Sequence, residues 1–158
     1  MEFEVRVETV GRRYIATAQG RASVENLKEV AFPLSGQAWD FLKAHPEIPT
    51  TGVNIWVYWD DATGELFLTK EGLPFEPGAE VLEPFESDGA VVCSYTPGGT
   101  VARADVTGPY DLIPDAHLAI RKWVKENGHT LAGPNWEVYG PWNEDPTDDR
   151  CEVFYQLA

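Results

Sequence analysis

The sequence predicts an α+β fold of duplicated β-α-β-β modules, related by pseudo-twofold symmetry, with a ligand cleft between them. Three observations predict it. Gly52-Val53-Asn54-Ile55-Trp56-Val57-Tyr58 aligns without gaps on Gly133-Pro134-Asn135-Trp136-Glu137-Val138-Tyr139, with Gly, Asn, Val and Tyr coinciding. Each copy follows a helical pattern, and the same order of strand and turn signals leads up to both. The chain is 158 residues long, enough for one domain to bury a core without metals or disulfides.

The elements follow in order. Phe3 to Val10 alternates like a strand, and Arg13 to Gln19 reads as its partner, ended by Gly20. Ser23 is placed to cap a helical stretch through Asn26, Leu27 and Val30. Pro33 is expected to interrupt or kink it, after which Leu34, Ala38, Phe41 and Leu42 keep helical spacing up to Pro46. Val53 to Trp59 is a strand that turns at Asp60-Asp61-Ala62-Thr63-Gly64 into another over Glu65 to Lys70. Gly72 to Pro84, with its three prolines, reads as an extended crossover.

The second half replays this order. Ala90 to Tyr95 and Thr100 to Thr107 are strands, with Pro97-Gly98-Gly99 as the hairpin turn between them. Asp111 is read as the cap of a helix whose apolar face is Leu112, Ala116, Ile120, Trp123 and Val124, closed by Gly128. Asn135 to Trp142 and Glu152 to Leu157 complete the unit. The module boundary falls at about residue 84: module one spans 1–84 and module two 85–158 of a single domain.

Alternation along a strand assigns faces. Val53, Ile55 and Val57 share the face suited to packing under a helix, as do Trp136 and Val138. The opposite face then carries Asn54, Trp56 and Tyr58 from one copy and Asn135, Glu137 and Tyr139 from the other. Those six residues form the expected ligand-binding set, lining a cleft where the halves face each other. Burial there disfavours the ionised Glu137 carboxylate, and an incoming cation restores it. A cation stacked on tryptophan or tyrosine gains roughly 2 kcal/mol or more when desolvated. Flat, partly positive, hydrophobic molecules suit such a cleft.

Composition narrows the partners. Twelve basic residues stand against 26 acidic ones, a net charge of -14, which repels phosphate backbones and argues against direct nucleic-acid binding. Hydrophobic residues make up 43% of the chain, too many for a disordered tail. No stretch has the apolar length to span a membrane and no secretory h-region opens the chain, so a cytoplasmic location is expected. Cys93 and Cys151 form no C-x-x-C pair and read as reduced packing residues, a disulfide being the alternative.

Together these residues resemble a GyrI-like (gyrase-inhibitor-like) domain, the fold also used as the effector-binding domain of multidrug-sensing regulators. The resemblance rests on the doubled element order, Gly108-Pro109-Tyr110-Asp111 before the helix, and Trp123 within it. Trp136-Glu137-Val138-Tyr139 followed by Asp145-Pro146, and the terminal Glu152-Val153-Phe154-Tyr155-Gln156-Leu157, add to it. It implies two pseudo-equivalent modules with a groove between them, and a strand glutamate, here Glu137, that meets cationic aromatic ligands. Regulator members carry a helix-turn-helix ahead of this domain. This sequence begins at its first strand, so a stand-alone member is expected. Some stand-alone members are similar to hydrolases that open the cyclopropane of DNA-alkylating natural products, and others bind drugs or gyrase.

Other motifs carry less. His45, His117 and His129 have no spacing suited to two metal ligands and read as helix-surface residues, so neither metal nor cofactor is expected. No G-x-S-x-G elbow surrounds any serine. Asn143 to Asp149 is acidic but lacks the calcium-loop pattern. The leading expectation is a module that binds amphipathic, aromatic, cationic small molecules. The alternatives are a cyclopropane-opening hydrolase using Glu137 as base and Tyr139 or Tyr58 as hydrogen-bond donor, and gyrase inhibition through a protein surface.

Overall fold

A single mixed-order antiparallel sheet of nine strands carries two helices in the structure, a computed structural model that describes residues 3–87, 89–141 and 143–158. In chain order the elements are β1 (Arg6–Val10), β2 (Tyr14–Ala18), β3 (Gly20–Ala22), α1 (Leu27–Ala44), β4 (Thr50–Tyr58) and β5 (Leu73–Val81). The second half supplies β6 (Val91–Tyr95), β7 (Gly99–Thr107), α2 (Ile113–Glu126), β8 (Leu131–Tyr139) and β9 (Arg150–Leu157). The order across the sheet is β1-β7-β9-β8-β4-β5-β2-β6, with β3 also on β5. Trp142, expected to end the strand from Asn135, lies outside the described residues.

The duplication is visible in the register. At the centre of the sheet β4 runs antiparallel to β8, with Asn54 opposite Tyr139, Trp56 opposite Glu137, and Tyr58 opposite Asn135. Residues matched by the seven-residue repeat therefore exchange places across one pair, Trp56 and Glu137, and the pseudo-twofold axis passes between them. Both copies carry the same irregularity: the ladder shifts between Thr50 and Asn54 and again between Leu131 and Asn135. The repeated glycines lie inside those shifts, Gly52 at φ +81° and Gly133 at φ +133°, conformations open to a residue without Cβ.

The same symmetry places an alanine pair under each helix. Ala16 and Ala18 on β2 and Ala102 and Ala104 on β7 are all buried, and their small side chains let a helix approach the sheet closely. α2 lays Ala116, Ile120 and Val124, one face at helical spacing, onto Ala102, Ala104, Val106 and Val153. Burying Ile120 alone contributes roughly 1.5–3 kcal/mol.

Five expectations need correction. The stretch Glu65 to Lys70 is not a strand; only a short 3-10 turn over Leu66–Leu68 forms there. The strand that completes the first half is β5, within the segment read as a proline-rich crossover. β5 accommodates Pro77 because the ladder on that side is already broken: β2 ends its pairing at Gly78 and β3 begins at Phe75. α1 runs unbroken for 18 residues through Pro33, and α2 takes no side-chain cap, Asp111 sitting instead in a 3-10 turn ahead of it. The initial strand pairs are not hairpins. β1 joins β7 of the second half and β6 joins β2 of the first, so each half lends its first strand to the other.

The assignment of faces is also reversed. Ile55, Val57, Trp136 and Val138 do not lie under the helices; they pack with Ile15, Val101 and Phe154 on the far side of the sheet. Ile15 on β2 and Val101 on β7 are separated by four strands in the sheet order yet share this cluster. The sheet is thus curled so strongly that its outer strands close over its inner ones. The expected ligand residues face the helices instead.

Candidate functional site

On the helix side of the central strand pair, β8 carries Glu137 with only 4% of its surface exposed. Its carboxylate is met from both halves. Tyr58 on β4 donates its hydroxyl to Oε1 at 2.9 Å, and Tyr139 donates to the same oxygen at 2.6 Å. His117 on α2 places Nε2 2.7 Å from Oε2, and its Nδ1 lies 2.6 Å from the Tyr155 hydroxyl on β9. With Glu137 ionised, its carboxylate only accepts hydrogen bonds, and His117 Nε2–H is then the donor of this contact. Among the described residues, His117 is the one ionisable group that forms an ion-pair contact with Glu137, and no lysine or arginine does so.

Aromatic rings enclose this network. Trp56, opposite Glu137, is edge-on to Tyr139 at 5.2 Å and to Phe75 at 5.7 Å between centroids. Tyr58 packs on Phe75 and edge-on to Phe67. Two rings continue outward to solvent, one from each half. Phe32 on α1, 63% exposed, stands edge-on to Trp56. Tyr110, ahead of α2 and 40% exposed, stands edge-on to Tyr139. A continuous aromatic path therefore leads from the surface to the carboxylate.

The electrostatics agree with the geometry. Burial pushes the Tyr58 and Tyr139 hydroxyls well above the ordinary tyrosine range, and the negative charge of Glu137 pushes them further. Tyr155 and the Cys151 thiol are raised too, again chiefly by burial. All of these groups stay protonated near neutrality, and both phenols at Glu137 remain donors.

Of the six residues expected from the sequence, Trp56, Tyr58, Glu137 and Tyr139 come together. Asn54 does not join them: its Oδ1 accepts from Trp39 Nε1 of α1 at 2.8 Å, which fastens the helix to the sheet. Asn135 is buried on the same strand face, opposite Tyr58 and Tyr155. His117, expected on a helix surface, is instead turned onto Glu137. Its spacing with Ala116, Ile120 and Val124 along α2 was the available signal, since it borders the apolar face. Cys93 and Cys151 are both free.

No family model and no curated protein sequence matches the chain. Solved structures do. The chain is similar to the C-terminal domain of EcmrR at 19% identity, covering 100% of this chain and 99% of that one, with a TM-score of 0.78. It is similar to SAV2435 bound to tetraphenylphosphonium at 6% identity, covering 100% and 94%, with a TM-score of 0.62. A hydrolase from Listeria innocua matches at 8% identity, covering 98% and 92%, with a TM-score of 0.63. These likenesses establish the fold, the α+β effector-binding-domain arrangement of GyrI-like proteins. No helix among the described residues is long and apolar enough to cross a membrane.

Proposed function

We propose that this chain binds amphipathic, aromatic, cationic small molecules on the helix side of the β4–β8 pair, with Glu137 as the counter-charge. One observation carries the reading: a buried carboxylate without lysine or arginine stands at the inner end of an aromatic path that begins at Phe32 and Tyr110. Burying such a charge is costly unless a partner arrives. A flat cation offers rings to Trp56 and Tyr139 and charge to Glu137, recovering both terms. The fold neighbour bound to tetraphenylphosphonium supports this class of ligand.

The second reading is hydrolysis of an electrophilic natural product at the same residues, and one fold neighbour is a hydrolase. Two phenols converging on one point could serve a developing oxyanion. The geometry favours binding over this reaction. Tyr58, Tyr139 and His117 take three of the carboxylate's roughly four acceptor sites, so little of Glu137 remains to activate water.

Titration with a planar dye cation, followed by tryptophan fluorescence, tests the proposal. Saturable quenching is expected, and Trp56→Phe should remove most of it while binding, read from the dye's own absorbance, persists. Quenching that survives intact in Trp56→Phe would place the dye elsewhere and overturn the reading.

A further inference from the structure

The sheet face turned away from the helices carries an internal ion cluster in the second half of the chain. Arg103 on β7 reaches Glu8 at 2.7 Å, Asp105 at 2.6 Å and Glu152 at 2.9 Å, and its guanidinium lies 4.7 Å over the Phe154 ring. The pseudo-twofold assigns each of these a counterpart. Arg103 pairs with Phe154 as Thr17 pairs with Gly78, and Val101 pairs with Glu8 as Ile15 pairs with Ser94. Asp105 stands opposite Glu152, and in the same register Gln19 bonds to Glu76.

The first half therefore keeps one carboxylate of three. Arginine has become Thr17, the stacking ring has become Gly78, and two acids have become Ser94 and Gln19. Glu76 remains, only 3% exposed. It accepts from Trp59 Nε1 at 2.5 Å, Ser94 Oγ at 2.7 Å and Gln19 Nε2 at 2.5 Å, all neutral donors. Among the described residues it forms no ion pair. Beside it lies an open depression of about 550 Å³ lined by Gln19, Trp59, Pro74, Glu76, Ser94 and Tyr95. Trp59 and Tyr95 meet edge to face at 6.2 Å between centroids. The Arg12 guanidinium already rests over the Tyr95 ring at 4.2 Å.

We propose that this depression is a second ligand site, specific for a small guanidinium or amidinium cation that takes the place Arg103 fills in the other half. Glu76 supplies the charge: Trp59 and Ser94 hold its Oε1, and Oε2, which Gln19 now occupies, is the oxygen offered to a guanidinium N–H. Trp59 and Tyr95 supply the aromatic walls. Gln19, an exposed side chain, is the donor that yields its place at the carboxylate. The site lies on the opposite face of the sheet from Glu137 and is independent of the proposal made for it.

The test is a titration of the isotope-labelled protein with phenylguanidinium, following the Trp59 indole N–H by nuclear magnetic resonance. That signal should shift saturably at millimolar ligand, and neutral phenylurea should leave it in place. Glu76→Gln should weaken binding at least tenfold. Tyr95→Ala, at a partly exposed wall that the core does not need, should weaken it severalfold and keeps the test decisive should Glu76→Gln fail to fold. Glu137→Gln should leave it unchanged. An unmoved Trp59 signal, equal binding of phenylurea, unaltered affinity in Tyr95→Ala, or loss of binding in Glu137→Gln would each overturn the proposal.

Discussion

Trp56 and Glu137 occupy the same position in the two copies and face each other across the symmetry axis, but they have diverged in opposite directions. Trp56 is partly open to the aromatic path, whereas Glu137 is buried beneath two phenols and an imidazole. Had the copies stayed identical, two carboxylates or two indoles would meet at the axis. Two close carboxylates repel and hold one proton between them, and two indoles offer no charge. Divergence gives one ring and one charge, the pair a flat cation needs. The far face of the sheet shows a second divergence of the same kind. There the second half satisfies its own carboxylates with Arg103, and the first half leaves Glu76 beside an open depression.

The two bulges should respond most unequally to substitution. Gly52 has open space where a Cβ would go, but a Cβ at Gly133 would stand 2.6 Å from the Asp60 carbonyl oxygen. Gly52→Ala should cost about 1–2 kcal/mol, the usual cost of a left-handed conformation. Gly133→Ala adds the steric clash with backbone and should cost about 3 kcal/mol or more. Urea unfolding of both variants measures the difference. Equal losses would mean that the bulges are interchangeable and that only the side chains of the halves have diverged.

A pH-dependent effect falls on one phenol from each half. Tyr58 and Tyr139 have hydroxyl pKa values raised by folding, so their contribution is complete below about pH 10, where the unfolded tyrosines ionise. Above it the folded state holds protons that the unfolded state has lost. Stability then falls by about 1.4 kcal/mol per pH unit for each of the two phenols, until they ionise in the folded protein. Denaturant titrations between neutrality and strongly alkaline pH should show that slope. In the Tyr58→Phe/Tyr139→Phe double variant it should be shallower by the same amount. An unchanged slope would show that burial beside Glu137 does not keep these two phenols protonated.

The duplication was legible because register is a property of sequence spacing: once Asn54 and Asn135 coincide, antiparallel pairing about the axis follows. The faces were not legible. Val53, Ile55 and Val57 are apolar, and a helix is the usual cover for an apolar strand face. The curled sheet covers its own far side instead, leaving the helix side to Trp56, Tyr58 and Glu137. Hydropathy cannot distinguish two buried faces. The prolines of β5 masked a strand because a proline is costly in an intact ladder, and the gap between β2 and β3 is invisible until the fold is known. His117 was misread because its partners come from β8 and β9, far along the chain, although its position beside the apolar stripe of α2 was plain.

Whether the Glu137 charge meets a cation is decided by a paired affinity measurement. A planar dye cation and a neutral analogue of the same shape are titrated against wild type and Glu137→Gln, which keeps the side chain's size while removing its charge. A loss of about 2 kcal/mol, or roughly thirtyfold, is expected for the cation, with the neutral analogue changed by no more than about threefold, under 0.7 kcal/mol. Equal losses for both ligands would show instead that Glu137 shapes the site without meeting a charge.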